Sequence, residues 1–174
     1  IVSDKMTFEV KDHQLPKVKK VSGYVERLNT EHPDIRTVYQ LFSSKRHVAM
    51  IRNDLAWDEY WRWDLDDLTA AVYYDSSHQP QGYLLYWISE DVLHIKEMVY
   101  INEEARIGLW NFVSAHFSMV TKVVGSTYTD EPLAFWLEDG EIKETIAPYF
   151  MARIVDAKQF IAQYPFRATG TNSQ

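Results

Sequence analysis

The sequence predicts an α/β domain of the α+β type, in which helices flank a mixed but mainly antiparallel sheet. Three observations predict this class. Three strand-like stretches follow one another in the middle of the chain with turn residues between them, which is typical of an antiparallel meander. Segments with apolar residues at helical spacing come before and after this meander. A further strand-like stretch follows the later helical segment, so that helix is expected to pack across the sheet.

The chain begins with a short strand that has no obvious partner. Met6, Phe8 and Val10 alternate with polar residues, and the segment DHQLPK then breaks the pattern. Because a strand needs partners for its backbone donors and acceptors, we expect residues 1–12 to be either disordered or paired with a neighbouring molecule. A second short strand is predicted over residues 21–28.

Two helices follow these strands. Pro33 is tolerated in the first turn of the earlier helix. That helix has one apolar stripe, formed by Ile35, Val38, Tyr39 and Phe42. Asn53 is a suitable N-cap for the later helix. Its apolar residues form a ridge of Leu55, Trp57, Tyr60 and Trp61.

The meander is predicted over residues 70–75, 82–89 and 91–101. Alternation along the third strand places one carboxylate, Glu97, in a row of apolar side chains. The apolar members of that row are Leu93, Ile95, Val99 and Ile101.

Asn102 is predicted to cap the helix after the meander, and Gly108 would let this helix approach the sheet closely. Its apolar stripe is formed by Ala105, Leu109, Phe112 and His116. Beyond it we predict a strand over 122–128, a strand and turn over 131–142, a last strand over 151–156 and a helix over 157–164 capped by Asp156. Residues 167–174 are expected to be a disordered tail or a linker to a further domain.

Composition excludes several classes of function. The 174 residues carry 18 Lys plus Arg and 25 Asp plus Glu, a net charge of −7, so clustered cations for nucleic acid are lacking. There is no Cys, and the six His lack the spacing of a helical metal site. No apolar run approaches the roughly 20 residues that cross a bilayer, and the first residues do not form a signal peptide. We therefore expect a cytoplasmic protein with no metal, membrane or nucleic-acid partner.

Several stretches resemble a known family. They are HQLPK, DIRTVYQLF, MIRNDLAWDEYWRWD, QGYLLYWI, IKEMVYINEEARIGLWNFVSAH and PYFMARIVDAKQFIAQYPF. Together they resemble the central domain of the enhanced intracellular survival (Eis) type of N-acetyltransferase, which has the GCN5-related N-acetyltransferase (GNAT) fold. The resemblance implies that residues 13–166 are this central domain, lying between an acetyl-CoA-binding acetyltransferase domain and a sterol-carrier-like domain. Residues 1–12 would then be the last strand of the preceding acetyltransferase domain. It also implies that the parent protein transfers an acetyl group from acetyl-CoA to a primary amine.

The phosphate-binding loop of the resembled fold is missing from this sequence. Such a loop has the pattern Arg/Gln-x-x-Gly-x-Gly/Ala and holds the CoA pyrophosphate at a helix N-terminus. Counted from Val99, the positions for Arg, Gly and Gly are Glu104, Ile107 and Leu109. Carboxylates at Glu103 and Glu104 would take the place of an anion. We therefore expect no cofactor-binding residues in this chain, with acetyl-CoA bound by the parent protein elsewhere.

Glu97 and Trp57 are the candidate site residues. A buried Glu97 on a central strand could deprotonate an amine as a general base, or it could form a structural ion pair with Arg52 or Lys96. An aromatic and acidic wall suited to a cation is formed by Trp57, Trp61 and Trp63 together with Asp58, Glu59 and Asp64. The family resemblance places Trp57 in the wall of the amine-acceptor pocket, whereas packing in the core is the competing interpretation.

Three functions are compatible with these residues. The first is a scaffold domain without catalytic residues of its own, with neighbouring domains of the parent as partners. The second is an autonomous acyl-CoA N-acyltransferase with Glu97 as general base. The third is a protein-interaction module. A missing neighbour would leave an apolar face exposed, so a homo-oligomer is also compatible with the sequence.

Overall fold

One seven-stranded sheet organises the molecule. The computed structural model describes residues 2–46, 49–62, 66–128, 133, 137, 141–151 and 153–164. Its strands are β1 (Val2–Lys11), β2 (Tyr24–Leu28), β3 (Thr69–Tyr74), β4 (Pro80–Ser89), β5 (Val92–Tyr100), β6 (Lys122–Tyr128) and β7 (Lys143–Met151). The helices are α1 (Pro33–Ser44), α2 (Asp54–Trp61), α3 (Glu103–Ser114) and α4 (Ala157–Gln163). The predicted fold class is confirmed.

The strand order is β2-β3-β4-β5-β6-β1-β7, and all neighbours are antiparallel except β5 and β6. Helix α3 connects this parallel pair, as a crossover connection must. The parallel register extends only from Val92 opposite Lys122 to Ile95 opposite Gly125. Beyond these residues no register joins the two strands, so the sheet opens between the later part of β5 and the end of β6.

Two hydrophobic cores lie on opposite faces of the sheet. Helices α1 and α2 cover one face, where the predicted stripe of α1 and Trp57 of α2 pack on Val72, Tyr83 and Leu85. Helix α3 covers the other face and packs on Tyr73 and Leu84, among others. Burial on both faces explains why the run in β4 is continuously apolar.

A β-bulge in β5 corrects the predicted row of side chains. Leu85 lies opposite Glu97 and Tyr86 lies opposite Ile95, which leaves Lys96 as the extra residue. One extra residue exchanges the two faces of a strand. Leu93 and Ile95 therefore belong to the α3 core, whereas Val99 belongs to the core under α1 and α2. Glu97 lies on the α1 and α2 side, and the prediction of a single row is wrong.

The expectation that the first strand is disordered or paired with a neighbouring molecule is also wrong. Strand β1 lies between β6 and β7 and pairs with both. Met6, Phe8 and Val10 are at most 5% exposed in the α3 core. The alternation was correctly read as a strand, but its partners come from residues more than a hundred positions later. The assignment of residues 1–12 to a preceding domain stays a prediction.

The C-terminal elements agree with the sequence in part. The last strand is β7, and residues 153–156 are not strand, so the strand predicted over 151–156 is wrong at residues 153–156. Asp156 caps α4 as predicted, because its carboxylate accepts a hydrogen bond from the Gln159 backbone. Most of residues 131–142, and the tail 167–174, lie outside the described residues. No helix in the described part of the chain has the length and apolar character needed to cross a membrane.

Candidate functional site

The N-terminus of α3 is the place where this fold would hold a pyrophosphate. The Asn102 side chain caps the helix, accepting a hydrogen bond from the Ala105 backbone N–H at 2.8 Å. This bond satisfies one of the donors that a helix leaves unpaired at its start. The two glutamates that follow supply the negative charge favoured at this end of the helix dipole.

Both glutamates are engaged by other parts of the chain. Arg106, only 4% exposed, donates to Glu103 through Nε at 2.9 Å and through Nη2. The hydrogen bond from Arg106 lowers the pKa of Glu103. Glu104 Oε1 accepts the Ser22 backbone N–H at 2.6 Å. Hydrogen bonds from the Ser22 side chain, and then from its backbone, lower the pKa of Glu104. Both carboxylates are thus stabilised in the ionised form.

The last position of the pattern serves packing. Leu109 is fully buried in the α3 core. The glycine present, Gly108, is where the helix meets Tyr73: a Cβ there would lie 2.4 Å from two ring carbons. The predicted close approach at Gly108 is confirmed. A fixed cap, two ionised carboxylates and a buried Leu do not fit a CoA pyrophosphate at this helix.

Glu97 forms a paired interaction with Arg52. Arg52 Nη2 donates to Glu97 Oε1 at 2.7 Å, and Nη1 donates to Oε2 at 3.0 Å. Both side chains are 12% exposed. The predicted ion pair of Glu97 with a basic residue is confirmed, and its two-point geometry is the strong form of this interaction.

Two tyrosines complete the hydrogen bonding of the carboxylate. The hydroxyls of Tyr83 and Tyr60 donate to Glu97 Oε2 at 2.7 and 3.1 Å. Burial, followed by the charge of Glu97, raises the pKa of Tyr83 well above its ordinary value. Tyr83 therefore stays protonated and acts as a donor.

Three aromatic rings surround the Arg52 guanidinium. Its central carbon lies 3.9 Å from the ring centroid of Tyr39, 4.1 Å from that of Tyr60 and 4.8 Å from that of Trp57. Burial acts to lower the pKa of Arg52, but the hydrogen bond and the charge of Glu97 outweigh it, so the pKa is raised. We call Tyr39, Trp57, Tyr60, Tyr83 and Glu97 the cation cage.

Trp57 is placed under this guanidinium. It is 3% exposed and packs edge-on against Tyr39 and in a stack with Trp61. Core packing, the competing interpretation, describes this position. Its role as a wall of an acceptor pocket in the parent protein stays a prediction. Trp63 and Asp64 lie outside the described residues.

The sequence indicated Arg52 and Lys96 as possible partners of Glu97, but it did not indicate most of the cation cage. Lys96 donates to the Tyr60 backbone carbonyl at 3.3 Å and lies 4.2 Å from the Tyr60 ring centroid. Tyr39 and Tyr83 appeared only as members of apolar patterns. Their hydroxyl partners depend on strand register and helix docking, which leave no signal in the sequence.

A shallow cleft of about 370 Å³ lies on the sheet near the opening between β5 and β6. Trp87 stacks on His94 in its wall, with centroids 4.7 Å apart, and Ser89 Oγ is 3.1 Å from His94 Nε2. Glu9 also lines the cleft, and its carboxylate lies 3.3 Å from Lys122 Nζ. Among the described residues no group of three His, Asp or Glu could hold a metal ion.

Comparison with protein families identifies one match. A family model described as an acetyltransferase (GNAT) domain matches residues 48–154. The match covers more than half of the chain and includes α2, the meander and α3. No curated protein matches the sequence significantly.

Solved structures share the fold. A conserved protein of unknown function from Enterococcus faecalis, described as a "probable N-acyltransferase", has a TM-score of 0.84 at 26% identity over 95% of this chain and 43% of its own. A GCN5-related N-acetyltransferase from Anabaena variabilis has a TM-score of 0.70 at 19% identity, over 84% of this chain and 39% of its own. Eis1 from Mycobacterium abscessus has a TM-score of 0.65 at 14% identity, over 84% of this chain and 40% of its own. The chain thus spans less than half the length of these proteins.

Proposed function

Because the chain belongs to the GNAT acetyltransferase family, we propose that it is a non-catalytic domain of a larger, Eis-type N-acetyltransferase. In this proposal the parent protein transfers an acetyl group from acetyl-CoA to a primary amine in the cytoplasm. Neighbouring domains of the parent bind the acetyl-CoA, and this domain is their scaffold.

The observation that carries the proposal is the filled N-terminus of α3. A pyrophosphate needs open backbone N–H groups and little negative charge around them. Here Asn102 takes the Ala105 N–H, while Glu103 and Glu104 are held ionised by Arg106 and Ser22. A pyrophosphate bound at this helix end would be repelled by the two carboxylates.

The pairing of Glu97 supports a scaffold over an autonomous acyltransferase. A general base needs a free lone pair within reach of the amine. Both oxygens of Glu97 accept hydrogen bonds from Arg52, and Oε2 accepts two more from Tyr60 and Tyr83. An amine would have to displace these donors before losing a proton to Glu97.

Calorimetric titration of the 174-residue chain with acetyl-CoA tests the proposal. We expect no saturable binding, while the full-length parent binds acetyl-CoA and acetylates amines. Saturable binding to the chain, with backbone amide shifts at residues 102–106 in the NMR spectrum, would overturn the scaffold and favour the autonomous enzyme.

A further inference from the structure

The cation cage has the composition of a binding site for an organic cation. Three ring faces lie within 5 Å of the guanidinium carbon, and a carboxylate accepts both of its outer N–H groups. Aromatic faces and a hydrogen-bonded carboxylate are the two means by which proteins recognise guanidinium and ammonium groups. Here the occupant is a side chain of the same protein.

Arg52 reaches the cage although its immediate neighbours in the chain are exposed. The residues before it, Met50 and Ile51, are 61% and 82% exposed, whereas the Arg52 side chain is 12% exposed. The Tyr39 hydroxyl donates to the Met50 carbonyl at 2.7 Å, and Asn53 caps α2. The segment between α1 and α2 is therefore held at both sides of Arg52, and this arrangement inserts one charged side chain while its neighbours stay in solvent.

The other members of the cage do not depend on Arg52 for their positions. Tyr39 and Trp57 belong to the core of α1 and α2, and Tyr83 is a fully buried residue of β4. Glu97 is aligned by its place opposite Leu85 next to the bulge. Removing the guanidinium would thus leave aromatic walls and a carboxylate without its counter-charge.

We propose that the cation cage is a binding site for a guanidinium or primary ammonium group, which Arg52 occupies as a built-in ligand and thereby closes to external amines. The inference goes beyond the proposed scaffold function, because it concerns cation recognition and holds whether or not the chain binds acetyl-CoA. It assigns Arg52 the position that the positively charged end of an amine would take beside Glu97.

The test is thermal unfolding of Arg52→Ala with millimolar methylguanidinium, with equal concentrations of urea as the comparison. We expect the variant to melt below the wild type. Methylguanidinium should then raise its melting temperature saturably, by about 3 to 6 °C at ten times the dissociation constant. Urea should give no rise. Arg52→Ala combined with Glu97→Gln should lose the response.

Arg36→Ala is the matched control. Arg36 also lies against Trp57, at 5.6 Å from the ring centroid, but it is partly exposed and pairs with Asp54 outside the cage. Methylguanidinium should not stabilise this variant or the wild type. If Arg52→Ala folds but methylguanidinium gives no saturable rise in its melting temperature, the proposal is overturned; this would be the result if Lys96 took the vacated place. An equal rise in the melting temperature of Arg36→Ala also overturns it.

A second variant covers the case in which Arg52→Ala does not fold. Arg52→Gln keeps part of the side-chain stem between the rings but leaves Glu97 without a counter-charge. Should both variants unfold, their refolding yield is measured in methylguanidinium and in urea. A higher yield in methylguanidinium supports the cage, and equal yields overturn it. Neither result depends on acetyl-CoA, so failure here is distinct from failure of the scaffold proposal.

Discussion

The backbone of Gly108 lies directly on the ring of Tyr73, so that a Cβ at position 108 would be 2.4 Å from both Cδ2 and Cε2. Tyr73 is fully buried, and its hydroxyl accepts the Gly23 backbone N–H at 3.1 Å. The ring therefore has little room to shift. This contact sets the distance between α3 and β3.

Replacing Gly108 by Ala tests this contact. Helix propensity favours Ala by about 1 kcal/mol, but overpacking against a fixed ring costs about 1–3 kcal/mol. We expect Gly108→Ala to lose up to about 2 kcal/mol of unfolding free energy, measured by urea denaturation. A more stable variant would show that α3 can move away from the sheet.

Ser114, at the end of the same helix, should respond in the opposite direction. Its hydroxyl is buried and has no hydrogen-bond partner among the residues that the structure describes. A buried polar group without a partner is destabilising, and Ala is the better helix former. Ser114→Ala should gain about 0.5–1 kcal/mol in the same urea experiment. A loss of stability would mean that the hydroxyl has a partner such as a bound water.

The Arg52–Glu97 pair should be important for stability. Glu97→Gln leaves a buried guanidinium without its counter-charge, which costs about 3–5 kcal/mol. Glu59→Gln is the control, because Glu59 and its partner Arg62 are each 56% exposed, and an exposed pair contributes less than about 1 kcal/mol. Similar losses in the two variants would refute a buried pair. Adding Arg52→Met to Glu97→Gln should restore part of the stability, because the uncompensated charge is then gone.

The glutamates at the start of α3 predict a loss of stability in acid. Their pKa values are lowered in the folded chain, so their contribution is present above the unfolded value of about 4.3 and is lost as the pH falls through the folded values. We expect the double variant Glu103→Gln, Glu104→Gln to show a smaller decrease in melting temperature between about pH 5 and 3 than the wild type. Glu59→Gln is the comparison. An unchanged acid limb in the double variant would contradict stabilisation of these carboxylates by Arg106 and Ser22.

The sequence by itself determined the local features. Asn53, Asn102 and Asp156 cap their helices as predicted, because a cap depends on hydrogen bonds within one turn. The stripe of α1 is buried as predicted, since the period of a helix places its members on one side. The same reasoning identified Glu97 as an exception in its strand and Arg52 as a candidate partner.

The tertiary structure decided what depends on distant parts of the chain. Alternation along β5 cannot show the bulge at Lys96, because a bulge is defined by the register with β4. The partners of β1 lie in β6 and β7, far along the chain, and the pattern of Met6, Phe8 and Val10 does not specify them. The choice of Arg52 over Lys96 depends on how the segment before α2 packs against β5, because Arg52 reaches both oxygens of Glu97 whereas Lys96 donates to the Tyr60 carbonyl. Local hydrogen bonds and periodicity depend only on residues close together in the sequence, whereas register and long-range pairing are set by the packing of the whole sheet.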